Sequence, residues 1–387
     1  MKGSRRSRRR QLMKQSEECL QIIKDPNDYA RKLKGEKKIV GTLCSYTPEE
    51  IIVAAGAHPF RLFGSGEKVR FADAHLQSYC CSLGRGVLED ALAGRLEFLD
   101  GVVFTHTCDT MQRLSDIWRI NISGLFHLDV ILPVKLDTQS ARRYFKNVLQ
   151  TFREELGAKL GVTISDNDLL NAIRTGNRIR KAFVRIYELI KDHPGIIKGE
   201  ELYLLDRAAM MMDKPRLVDL LEETLAELST SKEDTSTVVG PSAKRIFLEG
   251  GICNHPDIYK IIEEAGGKVV GDNLCTGFRY FNGLVDEENP DPIMAIADRY
   301  MERMICPAKH LGITDRGERL VEMVLKKRTQ GVIFFFLKFC DPHAFDYPYL
   351  REALEKAGIP SLVVEVEDQL QAEGQLRTRL EAFIEMI

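Results

Sequence analysis

Short apolar runs broken by polar, glycine-rich stretches recur along this chain, and the same order of elements occurs twice. Lys38 to Leu43 reads as a strand. The Thr47-Pro48-Glu49 start signal then opens a helix to Ala55, which Gly56 closes ahead of a strand over His58 to Phe63. In the second half, Arg245 to Leu248 predicts a strand, Asp257 to Glu264 a helix and Lys268 to Gly271 the next strand. Gly101 to Phe104 runs into THTCDT as Gly331 to Leu337 runs into KFCDPH, so each half carries a continuous apolar strand ending at Cys-Asp. Unbroken apolar strands are covered on both faces, and their alternation with helices predicts an α/β chain with two doubly wound parallel sheets.

Between the halves the pattern changes to charge-rich and helical, and the chain divides as follows. Residues 1–37 form a basic arm and N-terminal helix, 38–136 a first α/β domain, 137–228 a helical segment, 229–243 a Ser- and Thr-rich linker, and 244–387 a second α/β domain. That last domain ends in an amphipathic helix, Gln369 to Ile387, whose Leu376, Leu380, Phe383 and Ile384 are expected to pack on the second sheet. The arm carries Lys2, Arg5, Arg6, Arg8, Arg9 and Arg10 with no apolar segment after it, so it is not a secretory signal.

Across 387 residues, 57 acidic side chains nearly cancel 55 Lys and Arg, which offers no argument for nucleic acid or membrane as a partner. No apolar run approaches the roughly 18 residues of a membrane span, and a cytoplasmic location is expected. The nine cysteines are an odd number at long, irregular gaps, which predicts thiols kept reduced rather than a disulfide framework.

Those thiols are where the chemistry is expected. Ligands of open parallel sheets bind beyond the carboxyl ends of the strands, and Cys44, Cys108 and Cys340 fall at such ends. Cys81 in SYCCSLGRG and Cys275 in GDNLCTGFRYF lie in loops where glycine admits a bulky group, and Cys306 is followed by the stiffening Pro307. Zinc favours short paired spacings, which are absent; six widely separated, sulfur-only ligands suit an iron–sulfur cluster assembled between domains. Cys80 is expected to point away from its neighbour, while Cys19 and Cys253 read as structural. His106, Asp109, Asp341 and His343 flank the thiols as tuning groups, unless the two aspartates only cap the next helices. Arg113, Lys135 and Arg279 read as solvated surface charges. No dinucleotide fingerprint or phosphate loop occurs, so ATP hydrolysis is not expected of this chain.

The segments GTLCSYTPEEIIVAAGAHPFRLFG, CCSLGRG, THTCDTMQRLSDIW, NLCTGFRYF, ADRYMERMICPAKH and GVIFFFLKFCDPH resemble the 2-hydroxyacyl-CoA dehydratase D-component family, which includes benzoyl-CoA reductase subunits and double-cubane cluster proteins. The resemblance spans about residues 38 to 368 and implies two Rossmann-like domains with a cluster in the cleft between them. It implies Cys81, Cys108 and Cys340 as ligands of a [4Fe-4S] cluster with one iron open. Cys44, Cys275 and Cys306 are the additional candidates for an [8Fe-9S] double-cubane cluster. It further implies an ATP-hydrolysing activator iron–sulfur protein that injects low-potential electrons, for radical dehydration of an (R)-2-hydroxyacyl-CoA or reduction of an acyl-CoA thioester. The assembly implied is a homodimer or a heterodimer with a homologous subunit. Two alternatives stay open: a homodimeric double-cubane reductase of small molecules, and a non-catalytic iron–sulfur electron carrier.

Overall fold

The computed structural model describes residues 14–231, 243–255, 257–310, 313–367 and 373–387. The basic arm and most of the expected linker lie outside these residues, as does Gln369. Among the described residues, eight strands form two sheets. β1 (Ile39–Thr42), β2 (His58–Arg61), β3 (Gly101–Thr105) and β4 (Phe126–Val130) pair in the order β2-β1-β3-β4. β5 (Lys244–Gly250), β6 (Gly267–Asn273), β7 (Gly331–Leu337) and β8 (Ser361–Val366) pair as β6-β5-β7-β8. All pairings are parallel, so the two sheets share one topology and the chain is α/β with two Rossmann-like units.

The strands read as unbroken apolar runs because each face has its own cover. Val102 and Phe104 of β3, with Ile333, Phe335 and Leu337 of β7, enter one core that spans both halves and includes Phe183, Tyr187 and Met211 of the helical stretch. The alternate residue Val103 faces Phe145, Leu149 and Phe152, and the alternate residues Val332, Phe334 and Phe336 face Leu320, Val324 and Leu354. Burying each such side chain stabilises the fold by about 1.5–3 kcal/mol.

The helical stretch consists of helices Gln139–Leu160, Asp166–Asp192, Gly199–Ala209 and Lys214–Ser231. Thr138 caps the first by accepting from the Ala141 amide, and Ser165 with Asp168 forms a capping box at the second. A crossover ties the halves together. Helix Pro292–Glu302 follows β6 in sequence, yet its Ile293, Ile296 and Tyr300 pack with Val40, Tyr46 and Phe145 on the first sheet. At the C-terminus, Leu376, Leu380, Phe383 and Ile384 of helix Glu373–Met386 are buried with Ile262 and Val364 of the second half.

Gly250 closes β5 at φ +152°, and a Cβ there would lie 1.8 Å from the Phe335 carbonyl oxygen of β7. Only glycine lets these two strands meet where the loops toward Cys253 and Cys340 begin. Gly250→Ala is therefore expected to destabilise the protein by more than about 2 kcal/mol in urea unfolding; an unchanged midpoint would mean the strand ends separate at no cost.

Candidate functional site

Three cysteines occupy one structural role. Cys81, Cys108 and Cys340 are the N-cap residues of helices Ser82–Leu92, Asp109–Asn121 and Asp341–Lys356. Each helix directs its positive end and free amides toward a sulfur, an arrangement that favours a negative charge there. Cys108 and Cys340 follow the equivalent central strands β3 and β7. Gly84 brings the first two helices close at their N-termini, since a Cβ on it would sit 2.8 Å from the Thr110 methyl group. Phe339, just before Cys340, adopts φ +64°, a left-handed conformation that costs about 1–2 kcal/mol in a non-glycine residue.

The other three thiols come from separate loops. Cys44 follows β1, its Sγ 3.5 Å from the Thr107 hydroxyl. Cys275 follows β6, its amide donating to the Gly251 carbonyl at 2.8 Å. Cys306 follows the crossover helix, its amide 3.3 Å from the Tyr46 hydroxyl. Interaction with the neighbouring Cys306 thiol, together with the Arg279 and Arg61 cations, lowers the Cys275 thiol, whereas interaction with Cys275 and burial raise Cys306.

Electrostatic contact joins the two triads. Burial pushes the Cys108 thiol up to about 12, with Cys81 and Cys44 adding to the rise. Cys340 is raised by burial and by Cys81, Cys108 and Cys275. Cys44 also acts on Cys306, so all six sulfurs form one interacting group. A polar chain runs through it: His343 Nδ1 lies 3.1 Å from Cys340 Sγ, His343 Nε2 lies 3.5 Å from Arg279 Nη1, and that same nitrogen donates to Cys275 Sγ at 3.4 Å.

Buried cations lie beside this group. Arg61 is 4 % exposed and Lys309 and Arg303 are 2 % exposed, and none has a carboxylate partner among the described residues. The Nε atoms of Arg61 and Arg303 have no hydrogen-bond partner at all. Arg61 lies within electrostatic range of Cys44 and Cys275, and Lys309 within range of Cys44, Cys306 and Cys108. Arg303 reaches the Ser45 hydroxyl and the Arg279 carbonyl and stacks over Tyr46 at 4.2 Å. Burying a lone cation costs several kcal/mol, so this shell fits an anionic group held by thiolates. Among the described residues no three His, Cys, Asp or Glu side chains form a site for a single metal ion. A cluster distributes its thiolates over separate irons, and the donor set fits that arrangement.

All six cysteines singled out in the sequence are thus brought together. Cys19 and Cys253 are buried in the core, and Cys80 is half-buried beside Cys81. Asp109 and Asp341 do not cap their helices: the cysteines hold that position, and the aspartates stand one residue inside. His106 pairs with Asp129 at 2.8 Å. Arg113 and Lys135 are exposed beside Asp109 and Asp137, but Arg279 is not a surface charge. It is fully buried, paired with Glu249 at 3.1 Å and bonded to Asn273, because the Cys275 loop folds over the ends of β5 and β6. Arg61, Arg303 and Lys309 were not singled out; Arg61 inside the apolar run HPFRLF, and Lys309 three residues after Cys306, were the available signals.

Removing Arg279 would leave the Glu249 carboxyl, already raised to about 7 by burial, without its cation. Arg279→Met is expected to cost about 3–5 kcal/mol in urea unfolding and Arg279→Met/Glu249→Gln markedly less, whereas equal losses would show the pair to be unimportant.

Residues 44–387 match the family model described as 2-hydroxyglutaryl-CoA dehydratase, D-component. The chain is 28 % identical over 368 residues to the (R)-phenyllactyl-CoA dehydratase beta subunit of Clostridium sporogenes, covering 95 % of this chain and 96 % of that one. It is 26 % identical to the (R)-2-hydroxyglutaryl-CoA dehydratase subunit beta of Acidaminococcus fermentans, over 96 % of this chain and 98 % of that one. It is 28 % identical to one of the benzoyl-CoA reductase subunits of Thauera aromatica, over 84 % of each. With its duplicated parallel sheets and six converging thiols, the chain belongs to the 2-hydroxyglutaryl-CoA dehydratase D-component family.

Proposed function

We propose that this chain is an iron–sulfur enzyme component of its family, supplied with low-potential electrons by a separate ATP-hydrolysing activator, and that all six thiols hold its cofactor. The observation that carries this reading is the convergence of two cysteine triads inside a shell of buried cations that lack carboxylates. Bound there, the cluster supplies single electrons of low potential. The protein's part is to hold it. Helix N-termini face Cys81, Cys108 and Cys340, His343 and Arg279 contact Cys340 and Cys275, and Arg61 and Lys309 offset thiolate charge. Six thiolates suit an [8Fe-9S] double-cubane cluster in a homodimer that reduces small molecules.

The division of the thiols supports a second reading. Only Cys81, Cys108 and Cys340 share the N-cap geometry, and as a [4Fe-4S] site they would leave one iron free for substrate. Relatives named as beta subunits of dehydratases then suggest a heterodimer acting on an (R)-2-hydroxyacyl-CoA, and the benzoyl-CoA reductase relative suggests reduction of an aryl-CoA.

The test uses protein purified without oxygen, an activator of this family and ATP. Activator-dependent turnover is expected, and it is expected to vanish in Cys108→Ala and Cys340→Ala. Conversion of a small molecule lacking CoA, lost also in Cys44→Ala and Cys306→Ala, supports the six-thiol enzyme; dehydration of (R)-lactoyl-CoA that survives those two changes supports the second reading. Reduction without turnover of any substrate leaves an electron carrier and overturns both.

A further inference from the structure

Every N–H of the buried Arg279 guanidinium has a partner. Nε donates to Asn273 Oδ1 at 2.9 Å, and Nη2 donates to Glu249 Oε1 at 3.1 Å and to the Asn273 carbonyl. Nη1 donates to Cys275 Sγ at 3.4 Å. Those are four of the five donors a guanidinium carries, and the remaining one, also on Nη1, faces His343 Nε2 at 3.5 Å. Asn273 Nδ2 lies 3.1 Å and 2.9 Å from the two Glu249 oxygens. The ends of β5 and β6 therefore fix the plane of the guanidinium, and with it the direction in which Nη1 points.

This contact decides where the imidazole proton sits. An arginine donates and never accepts, so His343 Nε2 offers its lone pair and carries no hydrogen. The single N–H of the ring is then on Nδ1, 3.1 Å from Cys340 Sγ. The other tautomer, or a doubly protonated ring, would set a second N–H against that of Arg279. The Gly250 carbonyl also interacts with the ring and, being an acceptor, calls for the same N–H. Packing holds the ring in place: His343 is buried in the first turn of helix Asp341–Lys356 and lies at 20° to the Phe336 ring. On its other contact, a Cβ on Gly251 would sit 3.3 Å from His343 Cε1.

We propose that Arg279 holds His343 as its Nδ1–H tautomer, and that Glu249, Arg279 and His343 form one donor line serving a sulfur of each triad, Cys275 through Nη1 and Cys340 through Nδ1. This rests on the reading that the thiols hold a redox cofactor. A sulfur that accepts an N–H bond carries negative charge more readily, and one-electron reduction of a cluster adds such charge to its ligands. Both donors are aimed before the electron arrives, because Glu249 and Asn273 fix the guanidinium and Arg279 fixes the ring. The line therefore favours the reduced state and raises the reduction potential. His343 tunes the site through its own N–H. Arg279 donates directly to Cys275, and toward Cys340 it is a positioning residue that acts through the His343 ring.

The experiment combines a redox titration of the loaded full chain with pulsed electron paramagnetic resonance of its reduced form, on protein made with histidine isotopically labelled at Nδ1, with iron measured on each sample. The reduced wild type is expected to show a coupling to the labelled nitrogen that is lost in His343→Phe, and the midpoint potential of that variant is expected to shift down. His343→Asn, whose amide stands near the place of Nδ1, is expected to recover part of the shift; His343→Gln, whose amide stands near the place of Nε2, is not. Should His343→Phe lose iron, the comparison of His343→Asn with His343→Gln decides. A wild type without the coupling, or variants with the wild-type midpoint, overturns the donor line and leaves the cofactor reading intact. A wild type without iron overturns the cofactor reading instead. The tautomer is then read by nitrogen nuclear magnetic resonance of the metal-free chain, where a proton on Nδ1 of His343 is expected and a proton on Nε2 overturns it as well.

Discussion

Arg61, Arg303 and Lys309 are buried, none forms an ion pair with a carboxylate among the described residues, and Arg61 and Lys309 lie within electrostatic range of the thiols. A lone buried cation is among the costlier things a fold can carry, and three together require compensating negative charge. Thiols lie within electrostatic range of Arg61 and Lys309; Cys275, lowered by its neighbours, supplies some of that charge, whereas Cys108 and Cys340, raised by burial, supply little. Deprotonation on binding a metal cluster would reverse that, since coordinated thiols lose their protons outright. Were such a cluster bound, its thiolates would add the negative charge that these cations otherwise lack.

The duplicated sheets explain how so many thiols reach one place. Parallel sheets send their loops and helix N-termini to the carboxyl ends of the strands, and two sheets of one topology send two such sets. Cys108 and Cys340 hold the same position in each, which is why both cap helices. The crossover helix Pro292–Glu302 breaks the duplication, carrying Cys306 from the second half toward Tyr46 and Cys44 on the first. The same crossing sets the Tyr300 hydroxyl on the Thr47 carbonyl at 2.7 Å, locking the loop that holds Cys44.

Much of this is legible in the sequence, for identifiable reasons. A strand buried on both faces must be apolar throughout, so β3 and β7 announce themselves together with the Cys-Asp that follows each. Thiols at strand ends could be named because topology fixes where such ends point. Charge was harder to read. Arg279 looks like any surface arginine until the Glu249 pair and the folded Cys275 loop are known, and both depend on contacts across sequence. Arg61 is surrounded by apolar residues in HPFRLF, a pattern that signals burial but not what the guanidinium faces. The target of the crossover helix is likewise unreadable, since an apolar stripe says which face is buried and not which sheet buries it.

Iron and acid-labile sulfide per chain, measured on protein purified without oxygen, bear most directly on whether the six thiols act as one ligand set. About eight irons per chain, falling in Cys44→Ala and Cys306→Ala as well as in Cys108→Ala, is the result predicted for a six-thiolate cluster. About four irons, retained in full by Cys44→Ala and Cys306→Ala, would contradict it and leave Cys81, Cys108 and Cys340 as the ligands.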